Sequence, residues 1–423
     1  MRALATNFGW IFGGRTVAAL LSVAYLAILT RTLGPAVFGG FALAVAIAQA
    51  ARSIVGFETW QVVVRYGVAH LGAGAAIRLA RLLKAAVLLD AGASLVGVAV
   101  TLPLIALIAP RFGWPDDVVG ASIGFAFVYM LTMRSTPAGI LRLYDRFGVA
   151  AVAENILMLA RFVGALVVWA TSPSLLAYIV AWSVAELASA AVFWAAALKL
   201  VRRLPWRAAR IDRAALLAEN PGLSRFAIVT NAMQIFALAA KQLPVLIVGA
   251  FATPSAAGGF RLGGQLGQAS AKIAQLASRA IFPELMRTRA FASGPGEFVV
   301  LFRRTFQLSL GLGLVLLAIL IFAGKPLLIL IAGQAFAFAF PVLLILGIAA
   351  IVEIVGAGFE PALTAVHRVG AAFRVRIIAN LVLVIGLFVL TPRFGAEGAA
   401  AAVLAGSLVG FVGMALALRR AMR

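Results

Sequence analysis

Long uninterrupted apolar stretches are the feature of this sequence that most restricts its fold. A membrane-spanning helix takes about 20 mostly apolar residues. The chain is 64% hydrophobic and only 12% charged, which is unlike a soluble domain. The sequence therefore predicts an all-α polytopic membrane protein with twelve transmembrane helices. The twelve windows are 8–30, 38–66, 82–109, 118–141, 148–170, 175–198, 225–251, 258–286, 304–324, 338–362, 372–391 and 395–418.

The net charge of +22 follows a topological pattern. Lysine and arginine gather at one set of helix ends, which the positive-inside rule places in the cytoplasm. The opposite loops hold only Arg31, Arg111, Lys325 and Arg393. We therefore expect both termini in the cytoplasm of a bacterial cell, with an uncleaved first helix. The charge is no sign of a nucleic-acid partner.

The longest predicted cytoplasmic loop divides the windows into two sets of six. The predicted domains are an N-terminal lobe, 1–198, a cytoplasmic linker, 199–224, and a C-terminal lobe, 225–423. Loops on both faces are short, which leaves no room for a soluble catalytic domain.

The two halves resemble each other in sequence. Residues 35–50 match 254–269, and residues 103–109 match 326–332, each pair at the outer end of corresponding helices. Six helices per half is an even number, so both halves enter the membrane in the same direction. This predicts a parallel repeat, an arrangement found in transporters, with a central cleft between two lobes.

The eighth predicted helix carries a stripe of polar residues, although charge inside a bilayer is costly. On a helical projection the stripe spans about 80° of arc and about 27 Å of length. Each cation could instead snorkel or form a buried ion pair, but Lys272 is too deep to snorkel and is favoured as a residue facing the cleft. The stripe consists of Arg261, Gln265, Gln268, Lys272, Gln275 and Arg279.

Further polar residues lie on the first, second and seventh predicted helices. Asn231 and Gln234 share a face with Lys241, Gln242 lies beside it in sequence, and Gln49 precedes Arg52. Because helices 1 and 2 are the repeat partners of helices 7 and 8, deep cations concentrate on equivalent elements, as expected for a cationic cleft. The candidate substrate-binding residues are Arg15, Arg52, Lys241, Arg261, Gln265, Gln268, Lys272, Gln275 and Arg279.

Several acidic residues also fall in or near the apolar windows. We expect most of them to form structural pairs between helices, and Arg134 to be structural or interfacial. Glu58 and Asp90 are the candidates for proton or sodium coupling. Cysteine is absent and the two histidines lie near helix ends. The sequence therefore predicts no metal site, no cofactor and no catalytic residue, and it has no phosphate-binding loop of an ATPase.

Four segments of the sequence resemble those of a known family. They are the opening NFGWIFGGR, 30-TRTLGPAVFGGFAL-43, 57-FETWQVVVRYG-67 and 136-TPAGILRLYDRFGVAA-151. They resemble the bacterial oligosaccharide-lipid flippases, which translocate O-antigen and exopolysaccharide repeat units, in the multidrug/oligosaccharidyl-lipid/polysaccharide (MOP) exporter superfamily. The resemblance implies a two-lobed bundle that flips an undecaprenyl-diphosphate-linked oligosaccharide from the inner to the outer leaflet of the bacterial inner membrane by alternating access.

The resemblance also implies partners and site positions. It places Arg15, Arg52, Lys241, Arg261, Lys272 and Arg279 on the cavity-lining helices 1, 2, 7 and 8. The partners would be the lipid-linked glycan and membrane lipids, with the polysaccharide polymerase machinery as a candidate. The coupling ion could be H⁺, Na⁺ or none.

Three alternatives remain open from the sequence. A cation-coupled drug exporter of the same superfamily would want an acidic cavity, whereas the first helix carries Arg15 and no carboxylate. A membrane glycan polymerase would need a sizeable outer loop. The peptidoglycan-precursor flippase is a relative with 14 helices, two more than are available here.

Overall fold

The computed structural model describes residues 2–267, 295–366 and 368–421, with side chains from residue 21 onward except at 236–240, 295–299 and a few single positions. In this part of the chain the regular structure is helical and no strand occurs. The helices are α1 (Arg2–Val55), α2 (Thr59–Gly72), α3 (Ala76–Ile108), α4 (Asp116–Leu131), α5 (Ser135–Leu143), α6 (Phe147–Thr171), α7 (Leu175–Val201), α8 (Arg213–Glu219), α9 (Leu223–Phe251), α10 (described over 254–267), α11 (Pro295–Ala332), α12 (Phe340–Gly356), α13 (Phe359–Ala365) and α14 (Val369–Ala421).

Eight helical stretches of the described residues are long and apolar enough to cross a membrane. Two of them, Leu21–Gly72 and Gly370–Ala421, run 52 residues each, more than twice the length of one pass. A glycine with positive φ interrupts each one, Gly34 at 69° and Gly395 at 58°, so each contains two passes. With α9 and α10 these stretches account for all twelve predicted passes, the eighth only over its described part.

Local sequence signals explain where several helices begin. Asp116 and Asp117 open α4 directly after Pro115, and negative charge is favourable in a first turn. Ser174 caps α7, because its Oγ accepts a hydrogen bond from the backbone N–H of Ala177 at 3.2 Å. Large apolar side chains remain exposed along the passes, as expected where a helix borders lipid rather than water.

The chain forms two compact units. Unit 1 comprises Met1–Leu33 and Leu43–Gln242, and unit 2 comprises Gly34–Ala42 and Leu243–Arg423. In unit 1, α6 packs along α7, α2 along α5, and α3 along α4. In unit 2, α12 packs against α11 and α14, and α13 against α14.

Within unit 2 the two copies of the repeated turn contact each other. Gly39 and Gly258 hold equivalent positions of the repeat. A methyl group added to Gly39 would lie 1.7 Å from the carbonyl oxygen of Pro254, and one added to Gly258 would lie 3.1 Å from that of Pro35. The contacts of the two glycines are therefore reciprocal. Glycine is needed at this crossing because a Cβ atom at Gly39 has no space.

Candidate functional site

Two membrane passes of unit 1 are broken, and the breaks lie beside each other. The first break, Gly56–Glu58, separates α1 from α2, and the second, Thr132–Arg134, separates α4 from α5. The backbone N–H of Trp60 donates a hydrogen bond to Ser135 Oγ across the two breaks at 3.1 Å. Helix ends leave backbone groups without partners, and a bilayer offers no water to satisfy them. Side chains of unit 1 supply those partners.

Asp90 of α3 accepts hydrogen bonds from the N-terminal ends of α2 and α5, the helices that follow the two breaks. Its carboxylate accepts from Thr59 Oγ1 at 2.9 Å, from Thr136 Oγ1 at 2.7 Å and from the backbone N–H of Thr136 at 3.1 Å. The residue is only 2% exposed. Thr59 opens α2 and Thr136 lies in the first turn of α5, so a negative charge stands where two helix dipoles favour it.

Arg52 lies on the other side of the second break, at the C-terminal end of α4. One guanidinium nitrogen donates to Ser94 Oγ at 3.1 Å and to the backbone carbonyl of Met130 at 2.9 Å. Met130 lies in the last turn of α4, whose carbonyl groups carry the negative end of the helix dipole. The broken pass is therefore held by a cation at the end of its first half and an anion at the start of its second half.

Helix α9 closes the first break with amide side chains. Asn231 Nδ2 donates to the carbonyl of Gly56 at 2.5 Å, and Gln234 Nε2 donates to Glu58 Oε1 at 2.8 Å. The other oxygen of Glu58 accepts from Trp60 Nε1. Asn231 and Gln234, two residues of the polar face predicted for the seventh helix, thus contact the second membrane pass within unit 1.

A second buried cluster forms around Glu186 of α7. Its carboxylate pairs with Arg134 at 2.6 Å and with Arg161 at 2.5 Å. The guanidinium of Arg161 also stacks 3.8 Å above the ring of Trp182. Glu186 thus forms the kind of interhelix pair expected for intramembrane acids, and Arg134 is part of that pair. Glu154, which shares a helix face with Arg161 in the sequence, is exposed.

Besides Arg52, three predicted substrate-binding residues have described side chains. Lys241 is exposed on α9, and Arg261 is partly buried on α10. Gln265 Oε1 is buried and accepts no hydrogen bond from any described residue. The backbone of Arg15 belongs to α1, but its side chain lies outside the description. Gln268, Lys272, Gln275 and Arg279 lie outside the described residues, so the stripe as a whole stays a prediction.

Sequence reasoning missed the helix breaks and the hydroxyl groups that line them. The available signals were Gly56 in the first break and the segment Arg134-Ser135-Thr136-Pro137 at the second. A proline in the first turn of a helix is common because its missing N–H has no intrahelical partner there. Among the described residues no three or more His, Cys, Asp or Glu side chains gather to hold a metal ion.

Comparison with known proteins identifies relatives over most of the chain. The family of polysaccharide biosynthesis proteins matches residues 4–289, more than half of the sequence. The inner membrane protein YghQ of Escherichia coli strain K12 is 25% identical over 333 residues, which are 78% of this chain and 93% of YghQ.

Solved structures show the fold. The inward-facing conformation of a multidrug resistance MATE family transporter of the MOP superfamily has a TM-score of 0.71 at 14% identity, with 95% of each chain covered. The lipid II flippase MurJ in its inward closed conformation has a TM-score of 0.75 at 11% identity, with 97% of this chain and 87% of MurJ covered. The resemblance seen in the sequence is confirmed. The chain belongs to the polysaccharide biosynthesis protein family and has the two-lobed, all-α fold of the MOP-superfamily transporters.

Proposed function

We propose that the protein is a flippase that moves undecaprenyl-diphosphate-linked oligosaccharide units from the inner to the outer leaflet of the bacterial inner membrane. The product would feed surface polysaccharide or exopolysaccharide synthesis. Membership of the polysaccharide biosynthesis family carries this proposal, and the transporter fold supports it. Broken helices that bury polar groups are where transporters commonly handle ions and polar cargo. In the proposed cycle the lobes expose a central cleft alternately to each side.

The charge of the proposed cargo suits the predicted cations. A diphosphate diester carries two negative charges and cannot cross hydrocarbon unaided. Lys241, Arg261, Lys272 and Arg279 would neutralise it, with arginine able to hold two phosphate oxygens at once. With the cytoplasm negative, outward movement of two negative charges gains about 4–5 kcal/mol per 100 mV. The membrane potential would therefore supply part of the driving force.

Coupling to H⁺ or Na⁺ is proposed to act through Glu58 or Asp90. Both carboxylates lie at the helix breaks of unit 1, where Arg52 also lies. Loss of the negative charge on Asp90 would weaken the hydrogen bonds that join α2 to α5. Binding or release of H⁺ or Na⁺ at Glu58 or Asp90 would thus change the hydrogen bonds that join the helices at the two breaks.

The decisive experiment is reconstitution of the full chain in vesicles with an undecaprenyl-diphosphate-linked oligosaccharide. A membrane-impermeant glycan-modifying enzyme added outside reports the lipid that has reached the far leaflet. We expect Lys272→Ala to lower the initial rate by more than about tenfold, since it removes a charged contact with phosphate. Lys325→Ala, which removes an exposed lysine, is the matched control.

Two results would point to the alternatives. Export of cationic drugs without glycan translocation would favour the drug exporter, an activity for which the fold match to a MATE family transporter gives a reason. Growth of longer glycans in the vesicles without translocation would favour a polymerase. Equal translocation by Lys272→Ala and wild type would remove the proposed cation stripe from the mechanism.

A further inference from the structure

The segment after α7 folds back on unit 1 and borders an apolar groove. The groove has a volume of about 430 Å³ and is lined by side chains of α3, α5, α7 and the segment 204–211. That volume falls within the roughly 300–1,000 Å³ range of small-molecule sites. Its floor is formed by Leu83, Ile140 and Val201, all buried in the core of unit 1.

The rim of the groove is apolar and exposed. Leu88, Leu198 and Ile211 are each a little over half exposed. Leu88 and Leu198 belong to membrane passes, where lipid covers apolar side chains. Ile211 stands between Arg210 and Asp212 in a charged segment, yet it faces the same groove. The groove therefore opens where hydrocarbon meets the charged membrane border.

The outer wall of the groove is held by specific contacts. Lys84 Nζ donates to the carbonyl of Ala209 at 2.9 Å and to that of Trp206, and Arg81 Nε donates to the carbonyl of Arg210 at 3.0 Å. These cations of α3 satisfy backbone groups of the irregular segment, so they fix its course over the membrane passes. The groove is thus a built feature of unit 1.

The stretch 199–213, which contributes Trp206 and Ile211 to the groove, carries basic residues without carboxylate partners. Asp212 is the single acid of this stretch, and its carboxylate accepts from the backbone N–H of Ala214 at 2.9 Å. In the described part of the chain no ion pair involves the basic residues of the stretch, all of which are exposed. They are Lys199, Arg202, Arg203, Arg207, Arg210 and Arg213.

We propose that this groove binds an anionic phospholipid from the leaflet on the linker side of the membrane. One acyl chain would lie over Leu83 and Ile140, and the phosphate would lie near Arg207 and Arg210, which flank the groove residues Trp206 and Ile211. Clusters of four to eight basic residues at a membrane border attract anionic lipids. Tryptophan is enriched at the same level of the membrane. This assignment is independent of the transported cargo.

Tryptophan quenching tests the site directly, because Trp194 and Trp206 line the groove. The full chain in uncharged detergent micelles is titrated with phosphatidylglycerol or phosphatidylcholine carrying brominated acyl chains. We expect brominated phosphatidylglycerol to reach half-maximal quenching at a mole fraction about tenfold lower than brominated phosphatidylcholine does. Trp206→Phe should reduce the quenched amplitude, which locates the chain in the groove.

Two pairs of variants test recognition of the lipid headgroup and of the acyl chain separately. Arg207→Gln/Arg210→Gln is expected to abolish the preference for phosphatidylglycerol, whereas Arg419→Gln/Arg420→Gln, the same charge loss at the exposed end of α14, should keep it. Leu88→Asn should weaken quenching by both lipids. Leu95→Asn, at an exposed position further along α3, should leave both titrations unchanged.

Several outcomes would overturn the assignment. Equal titrations with the two lipids would show that no anionic headgroup is recognised. A preference that survives Arg207→Gln/Arg210→Gln would place the headgroup elsewhere, and equal behaviour of Leu88→Asn and Leu95→Asn would place the chain elsewhere. Displacement of the brominated lipid by a polyprenyl phosphate at a far lower mole fraction would assign the groove to a prenyl chain. A failed cargo assay would not affect any of these readouts.

Discussion

The fourth membrane pass is broken in both units, and different chemistry holds the two breaks. In unit 1, Thr132–Arg134 separates α4 from α5, and in unit 2, Ala357–Gly358 separates α12 from α13. A proline stands at the third position of the following helix in both, Pro137 and Pro361. These passes are the fourth of each half, so the break itself belongs to the repeat.

The surroundings of the two breaks do not follow the repeat. The unit 1 break is surrounded by charge, with Asp90 and Arg52 at the helix ends. At the unit 2 break the ring of Phe359 packs against Phe302, Phe306 and Phe411, with ring centroids 5.3–6.0 Å apart. The repeat thus preserves a backbone feature, whereas side chains make one break sensitive to charge and the other dependent on apolar packing.

Removal of the shared acid of unit 1 should give the largest loss of stability. Glu186→Leu leaves Arg134 and Arg161 without their buried carboxylate, and we expect a loss of about 3–5 kcal/mol. Unfolding in mixed micelles of detergent and dodecyl sulfate measures it. Glu360→Gln is the control, since its pair with Arg376 at 2.7 Å is solvent- or headgroup-exposed and is worth about 0–1 kcal/mol. Equal losses in the two variants would contradict the buried role of Glu186.

The unit 2 break should respond to the size of an apolar side chain and not to charge. Phe359→Ala creates a cavity among three aromatic rings and should cost about 3 kcal/mol. Phe359→Leu keeps most of the volume and should cost less than about 1.5 kcal/mol. The same unfolding assay compares them. A larger loss in the leucine variant than in the alanine variant would exclude packing as the cause.

Asp90→Asn tests whether the unit 1 break is linked to cation coupling. The amide keeps the shape but loses the charge that faces two helix N-termini, so we expect a loss of about 1–3 kcal/mol. Under the proposed coupling, the dependence of transport on pH or sodium should vanish in the folded fraction. Phe359→Leu is the matched variant and should keep that dependence. An unchanged ion dependence in Asp90→Asn would assign the residue to structure alone.

The smallest effect is expected where α9 meets the first break. Gln234→Ala removes one hydrogen bond to Glu58, and interhelix hydrogen bonds in membranes average about 0.6 kcal/mol. Gln242→Ala removes a similar bond to Gln49 Oε1, which is 2.7 Å long, and lies away from the breaks. Both should be close to neutral in stability. A difference between them in transport, with Gln234→Ala slower, would tie Glu58 to the cycle.

The passes and the pairing of charges differ in how far they could be predicted. The predicted windows fall on helices wherever the structure describes them, because the bilayer imposes a length and a composition on every pass, and both can be read from the sequence. The ion pairs are different: Arg161 lies on the same predicted face as Glu154, yet it pairs with Glu186 on a neighbouring helix. Seven residues along a helix are about 10 Å of rise, too far for a direct pair.

By itself the sequence determined the membrane environment, the number of passes, the repeat and the family. Those properties depend on local composition and on matching segments, which no tertiary contact can change. Only the tertiary structure decided that Arg52 and Asp90 serve opposite ends of a broken helix, and that repeated breaks are surrounded by charge in one unit and by aromatic rings in the other. These contacts join residues from separate helices, so they exist only once the helices have packed.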